Sequence, residues 1–278
     1  MSVLERFDES IAGLSETTQQ RYLQVVKGFI RAVGLKRRYR KEDVLQYLVQ
    51  LEKRGCGNNH RRWVFTVLHT FYETMGWDWW TRREQRRVMP KAEDPKMPYL
   101  RQPELGQVLE ALASKPPMVQ ALFRIAELTP IRRIELQRLD REDYQRPYLR
   151  IKTRKGGEAR TLTLDEQTCN LLEEYLAARR DVDPALFVST LNKRIALITL
   201  TLLFRRTLVE LGLYRRGLGW HGARRGVTTM LHRAGASERE LQELGGWRSP
   251  FMPHRYIQLE PTEVDEKAKR IHPLIKRT

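Results

Sequence analysis

Tyr148–Leu164 reads YLRIKTRKGGEARTLTL, and the fold class turns on how this stretch is taken. Residues 148–152, YLRIK, and 159–164, ARTLTL, alternate apolar and polar side chains with the period of two that marks half-buried strands. Between them TRKGGE places Lys155 before two glycines, the chemistry of a hairpin turn. Elsewhere from Tyr99 onward the apolar spacing is helical, over 166–180, 193–211, 222–234 and 238–244, with Gly235 between the last two. Residues 99–278 therefore read as an α-rich domain carrying one small antiparallel sheet.

The first 76 residues read as a small helical domain. After Ser15, a suitable N-cap, Tyr22, Val25, Val26, Phe29, Ile30 and Val33 recur at helical spacing up to Gly34. A second helix carries Val44, Tyr47, Leu48 and Leu51 and ends at Gly55; a third carries Val64, Val67, Leu68, Phe71 and Met75 and ends at Gly76. The third starts NNHRRW, so Arg61 and Arg62 stand at a helix amino end, where the dipole favours phosphate. Residues 77–98 change character: six Lys/Arg follow Trp80, among them Arg82, Arg83, Arg86 and Arg87, and Pro90, Pro95 and Pro98 interrupt any helix. This predicts a helix end running into an extended linker. The organisation expected is a mainly α chain: a helical domain over 1–90, a linker over 91–98 and a mixed domain over 99–278.

The 278 residues carry a formal charge of +17. Residues 1–90 hold 17 Lys/Arg against 10 Asp/Glu and the rest 34 against 24, so both domains are basic. Such a distribution suits a polyanion contacted from more than one side, double-stranded DNA before all. No apolar run approaches the roughly 20 residues that cross a bilayer, and the amino terminus lacks the pattern of a secretory signal. Cys56 and Cys169 are too few for a disulfide framework, which fits a reducing cytoplasm. Without CxxC or HExxH, and with six dispersed histidines, neither metal nor cofactor is expected.

Four stations in the second domain fall in order. LTPIRRIEL, 128–136, contains Arg132 and, three residues on, Glu135; Lys155 stands at the hairpin tip; HGARRG sets His221 three before Arg224; GGWRSPFMPHRYIQ, 245–258, sets Trp247 nine before Tyr256. Together they resemble the tyrosine recombinase (phage integrase) family. Its R-x-x-E-L is met at 132–136, its K-G-x-x-x-R from Lys155 to Arg160, its H-x-x-R at His221 and Arg224, and the next steps of 23 and nine residues reach Trp247 and Tyr256. The Trp is closest to the Cre-like branch, where most members have His. Pro130 departs from the family's usual Gly, and Arg225 from the His of many members.

The resemblance implies a SAM-like helical core-binding domain and a catalytic domain that cleaves and rejoins DNA through a phosphotyrosine and a Holliday junction. Tyr256 is then the nucleophile. Arg132 and Arg224 neutralise the phosphate with planar forks that Lys does not reproduce. Trp247 donates from its indole, His221 assists proton transfer, Lys155 protonates the leaving oxygen and Glu135 supports Arg132 or His221. Arg133, Arg160 and Arg225 are left as phosphate contacts or surface. The family further implies a tetramer on two DNA sites, a tail (259–278) packed on a neighbouring protomer, and a cytoplasmic, nucleoid-associated enzyme. The chain starts almost at the core-binding domain, which favours an Xer-like or resolvase-like role, or a simple integrase, over an arm-binding phage integrase. Two other readings compete: a type IB topoisomerase, with the same chemistry but no strand exchange, and a non-enzymatic regulator using TTMLHRAGASERELQEL as a helix-turn-helix.

Overall fold

A computed structural model describes residues 2–93, 97–152 and 159–259. The chain forms two compact units, Met1–Pro95 and Lys96–Thr278. In the first, α1 (Val3–Ser10), α2 (Glu16–Val33), α3 (Lys41–Lys53) and α4 (Asn58–Met75) pack with α4 against each of the other three. Phe7, Phe29, Val44, Phe65, Leu68 and Phe71 are buried between them. Gly76, in the left-handed region at φ 67°, ends α4.

Two expectations for this unit are corrected. The segment after Gly76 is not simply a helix end: Trp77 meets Phe71 edge-on at 5.4 Å, and Trp80 stacks on Phe65 at 5.5 Å. These indoles add to the core, because large apolar rings gain more from burial than a short loop loses in flexibility. A separate helix, α5 (Arg82–Val88), then begins at a capping box in which Thr81 accepts from the Glu84 N–H and Glu84 accepts from the Thr81 N–H. Helix α1 has no counterpart among the elements expected from the sequence.

The second unit holds α6 (Gln102–Ala111), α7 (Pro117–Leu128), α8 (Arg133–Arg138), β1 (Tyr144–Gln145), β2 (Tyr148–Ile151), β3 (Arg160–Thr163), α9 (Glu166–Ala178), α10 (Leu197–Glu210), α11 (Trp220–Arg233) and α12 (Glu238–Gly245). A 3-10 turn, Pro253–Arg255, follows. The sheet is antiparallel in the order β1-β2-β3. Leu149 pairs with Leu162 and both face the core, while Tyr148 and Arg150 face out, as the alternation predicts. The core runs from Leu122 and Phe123 through Leu149, Leu172 and Phe204 to Val227. Phe204 stacks on Trp220 at 4.8 Å, and the Trp220 Nε1–H bonds the Leu200 carbonyl at 2.8 Å, which ties α10 to the start of α11.

Helix α10 starts later than the expected 193. Arg194 is drawn into a loop contact instead, donating to the Gln137 and Leu139 carbonyls at 3.1 Å each and pairing with Asp140. Among the described residues no helix is long and apolar enough to cross a membrane. Lys155 and most of the tail, residues 260–278, lie outside the described residues.

Candidate active site

Three elements of the second unit deliver arginines to one place. Arg132 is the N-cap residue of α8. Its N–H and its Nη1 both donate to Glu135, at 2.9 and 2.6 Å, so the side chain folds back over its own helix start. Arg224 projects from α11 and is only 1% exposed. It donates Nη1 to the Pro130 carbonyl and Nη2 to the Gly245 carbonyl at 2.8 Å. Arg132 reaches the same turn from the other side, with bonds of 3.3 to 3.5 Å to the Gly245 and Gly246 carbonyls. Those carbonyls end α12, where the helix dipole is negative and favours cations.

The glycine pair is required by these close approaches. A Cβ on Gly245 would collide with the Trp247 indole, and Gly246, at φ 59°, lies against the Arg160 guanidinium. The Trp247 N–H caps α12 through the Gln242 carbonyl at 3.0 Å, which aims its side chain back toward Arg224. Tyr256 ends the 3-10 turn, and Thr229 of α11 holds it by donating to the Tyr256 carbonyl at 3.3 Å and accepting the Gln258 N–H at 3.0 Å. The Arg224 Cζ lies 4.3 Å from the Trp247 ring centre and 5.0 Å from that of Tyr256, and the two rings are 4.9 Å apart. Arg225 approaches Tyr256 at 5.9 Å.

This is an electropositive pocket with little internal compensation. Burial, and next the field of Arg132, pull the Arg224 pKa down to about 9, so the group stays a cation at neutral pH against an unfavourable environment. The Arg224 Nε and Trp247 Nε1 are buried with no partner among the described residues. Unpaired buried donors beside a desolvated cation are stabilised by an anion with several acceptor oxygens. Glu135 supplies the opposing charge: its burial favours the neutral acid, but the pairs with Arg160 and Arg132 outweigh that and hold its pKa below the usual carboxylate range. His221 stands exposed near the start of α11. Desolvation and the fields of Arg224, Arg225, Arg133 and Arg132 hold its pKa below the ordinary imidazole value.

Arg132, Glu135, Arg224, Trp247 and Tyr256 thus converge, with His221 at the end of the same helix as Arg224. Arg133 turns away to Thr201 of α10. Arg160, expected at the surface or on phosphate, has a side chain only 7% exposed and bonds Glu135 at 2.9 Å. Sequence reading missed the carbonyls of Pro130, Gly245 and Gly246; only the GG before Trp247 hinted at a close backbone approach. In the first unit, Arg61 is turned inward to Asn58 and to Glu52 at 2.9 Å. Arg62, Arg82, Arg86 and Lys91 line an open cleft of about 470 Å³, and Arg83 and Arg87 are exposed beside them on α5.

The phage integrase family matches residues 98–263. The tyrosine recombinase XerA of Pyrococcus furiosus is 24% identical over 274 residues, covering 96% of this chain and 93% of its own. Among solved structures, a lambda integrase tetramer bound to a Holliday junction superposes with a TM-score of 0.76 at 18% identity, over 92% of this chain and 76% of the other. The XerH site-specific recombinase bound to palindromic difH substrate, a post-cleavage complex, superposes with a TM-score of 0.74 at 18% identity, over 96% and 83%.

Proposed function

The chain belongs to the phage integrase family and is a tyrosine recombinase acting on DNA, and from that premise we propose that Tyr256 attacks a DNA phosphodiester. The phenol oxygen bonds phosphorus, the P–O5′ bond breaks, and a 3′-phosphotyrosine and a free 5′-hydroxyl result. Attack by a 5′-hydroxyl from a second site reverses the step and joins exchanged strands, first as a Holliday junction. The phosphoester linkage is conserved throughout, so no nucleotide is consumed.

The observation that carries this reading is the Tyr256 ring lying over Arg224 and beside Trp247, at 5.0 and 4.9 Å. A phosphate set against Arg132 and Arg224 takes bidentate bonds to its non-bridging oxygens, and Trp247 Nε1 has a donor to spare. These cations do the charge neutralisation that a metal does in other phosphoryl transfers. His221, whose protonated form the arginine cluster disfavours, accepts or relays the phenol proton. Lys155 is assigned by the family resemblance to protonate the leaving 5′ oxygen. Four protomers on two duplex sites complete the reading; a lambda integrase of the same fold is a tetramer on a Holliday junction.

Nicked duplexes that trap the covalent product test the assignment. In excess EDTA, the wild-type protein forms a protein–DNA adduct; Tyr256→Phe binds the site as well and forms none. An adduct at wild-type rate from Tyr256→Phe removes Tyr256 from the chemistry.

A further inference from the structure

Arg160 opens β3 and belongs to no group that touches the phosphate in the reading above. Its side chain is 7% exposed, and its Nη2 donates to the Glu135 Oε2 at 2.9 Å. That same carboxylate oxygen accepts the Arg132 N–H at 2.9 Å, and the other takes Arg132 Nη1 at 2.6 Å. On its far side the Arg160 guanidinium packs on Gly246: a Cβ there would meet Nη1 and come within 3.1 Å of Cζ. The Gly246 carbonyl is in turn an acceptor for both Nη atoms of Arg132. Arg160 therefore touches two of the supports that fix the Arg132 fork, the Glu135 carboxylate on α8 and the turn after α12. Its Nη2 is committed to Glu135, and its Nε and Nη1 are buried without a partner among the described residues, as the Arg224 Nε and Trp247 Nε1 are.

We propose that Arg160 is a positioning residue for strand cleavage, locking the Glu135 carboxylate and the Gly246 turn and through them aiming Arg132 at the scissile phosphate. Arginine suits the task because one planar group spans both contacts; an ammonium reaches one at a time. Removing it leaves Glu135 with Arg132 alone, free to pull that side chain off its line. The inference rests on the reading of Arg132 as a phosphate ligand.

The test is the single-turnover rate constant for adduct formation on a nicked duplex at saturating protein, with site binding measured alongside. Arg160→Gln is expected to bind the site within about threefold of wild type, as a residue that acts through Glu135 and not on the DNA does. Its rate constant is expected to fall on the order of 10²-fold, the scale of a misplacement of about 1 Å. Arg160→Lys recovers only part of the loss. Glu135→Gln loses rate too, and the double variant is no slower than the worse single one, since both act on one chain of contacts. The acid limb of the rate–pH profile of Arg160→Gln moves to higher pH than that of wild type, because buried Glu135 has lost its foremost stabilising partner and protonates more readily. Partial unfolding lowers the concentration of competent protein and not the rate constant reached at saturation, so the measurement stands for whatever fraction folds. A wild-type rate constant, losses that multiply in the double variant, or binding that falls in step with rate each overturn the proposal. Absence of any adduct from the wild-type protein would instead defeat the recombinase chemistry itself.

Discussion

The two units carry arginines in opposite ways. On α5 of the first unit, Arg82, Arg83, Arg86 and Arg87 are exposed, solvated and spaced along one short helix. In the second, Arg132, Arg160 and Arg224 converge on one buried carboxylate and three backbone carbonyls. An exposed guanidinium costs little to keep and contributes mainly by releasing counterions when it meets a phosphate. A buried one is expensive, because its desolvation is offset only by well-placed partners. The expense is tolerated where the cation must be aimed before the substrate arrives, which is what electrostatic preorganisation requires. On the function proposed above, number of charges serves binding in one unit and direction of charge serves chemistry in the other.

The sharpest way to break that contrast is to keep a charge and lose its direction. Arg224→Lys retains a cation but gives up the fork that joins the Pro130 and Gly245 carbonyls. The adduct-forming rate is expected to drop on the order of 10²- to 10³-fold, the loss typical of one preorganised donor, with site binding little changed. A rate within tenfold of wild type would mean that charge alone suffices at this position.

The converse experiment removes charge where direction does not matter. Arg82→Gln with Arg86→Gln is expected to flatten the dependence of log affinity on log salt by about 2, at roughly 0.9 for each phosphate no longer neutralised. The adduct rate at saturating protein stays at the wild-type level. An unchanged salt slope shows that the α5 cleft does not lie on DNA; a lowered saturating rate shows that α5 does more than bind.

How much of this was legible depends on whether side chains or backbone carry the information. The hairpin was readable because Leu149, Ile151 and Leu162 alternate with polar neighbours, and sheet register follows from that pattern. The helix α1 was not, because eight residues do not hold a helix alone; it forms by burying Phe7, 5.2 Å from Phe71, a partner 64 positions away. The helix α5 had a readable start in Thr81 and Glu84, yet it buries no residue, so no apolar stripe announced it. At the site, Arg132, His221, Arg224, Trp247 and Tyr256 stood out as side chains at characteristic intervals. The carbonyls of Pro130, Gly245 and Gly246 did not, since every residue has one and only the fold selects which is used. Arg160 is visible as a residue, read as a phosphate contact or surface; its bond to Glu135 is not, because nothing local says that β3 turns it inward.

The smallest effect expected concerns the field that these arginines cast on a neighbour. His221 lies near the positive end of α11, and desolvation together with Arg224, Arg225, Arg133 and Arg132 disfavours its protonated form. In the DNA-free protein its titration, followed by the imidazole proton resonances, should therefore have a midpoint below that of an ordinary imidazole, which favours the neutral, proton-accepting ring. Taking away one positive neighbour makes protonation easier, so the sign is fixed: Arg225→Gln moves the midpoint up toward the ordinary value. Arg82→Gln, which alters the other kind of charge, leaves it in place. Bound DNA acts in the same direction as Arg225→Gln, because phosphate cancels the arginine field where it is strongest. A midpoint at the ordinary imidazole value in the free protein, or one unmoved by Arg225→Gln, would mean that the solvent around this exposed ring screens the cluster, and that directed charge in this site acts only on groups as buried as Arg224.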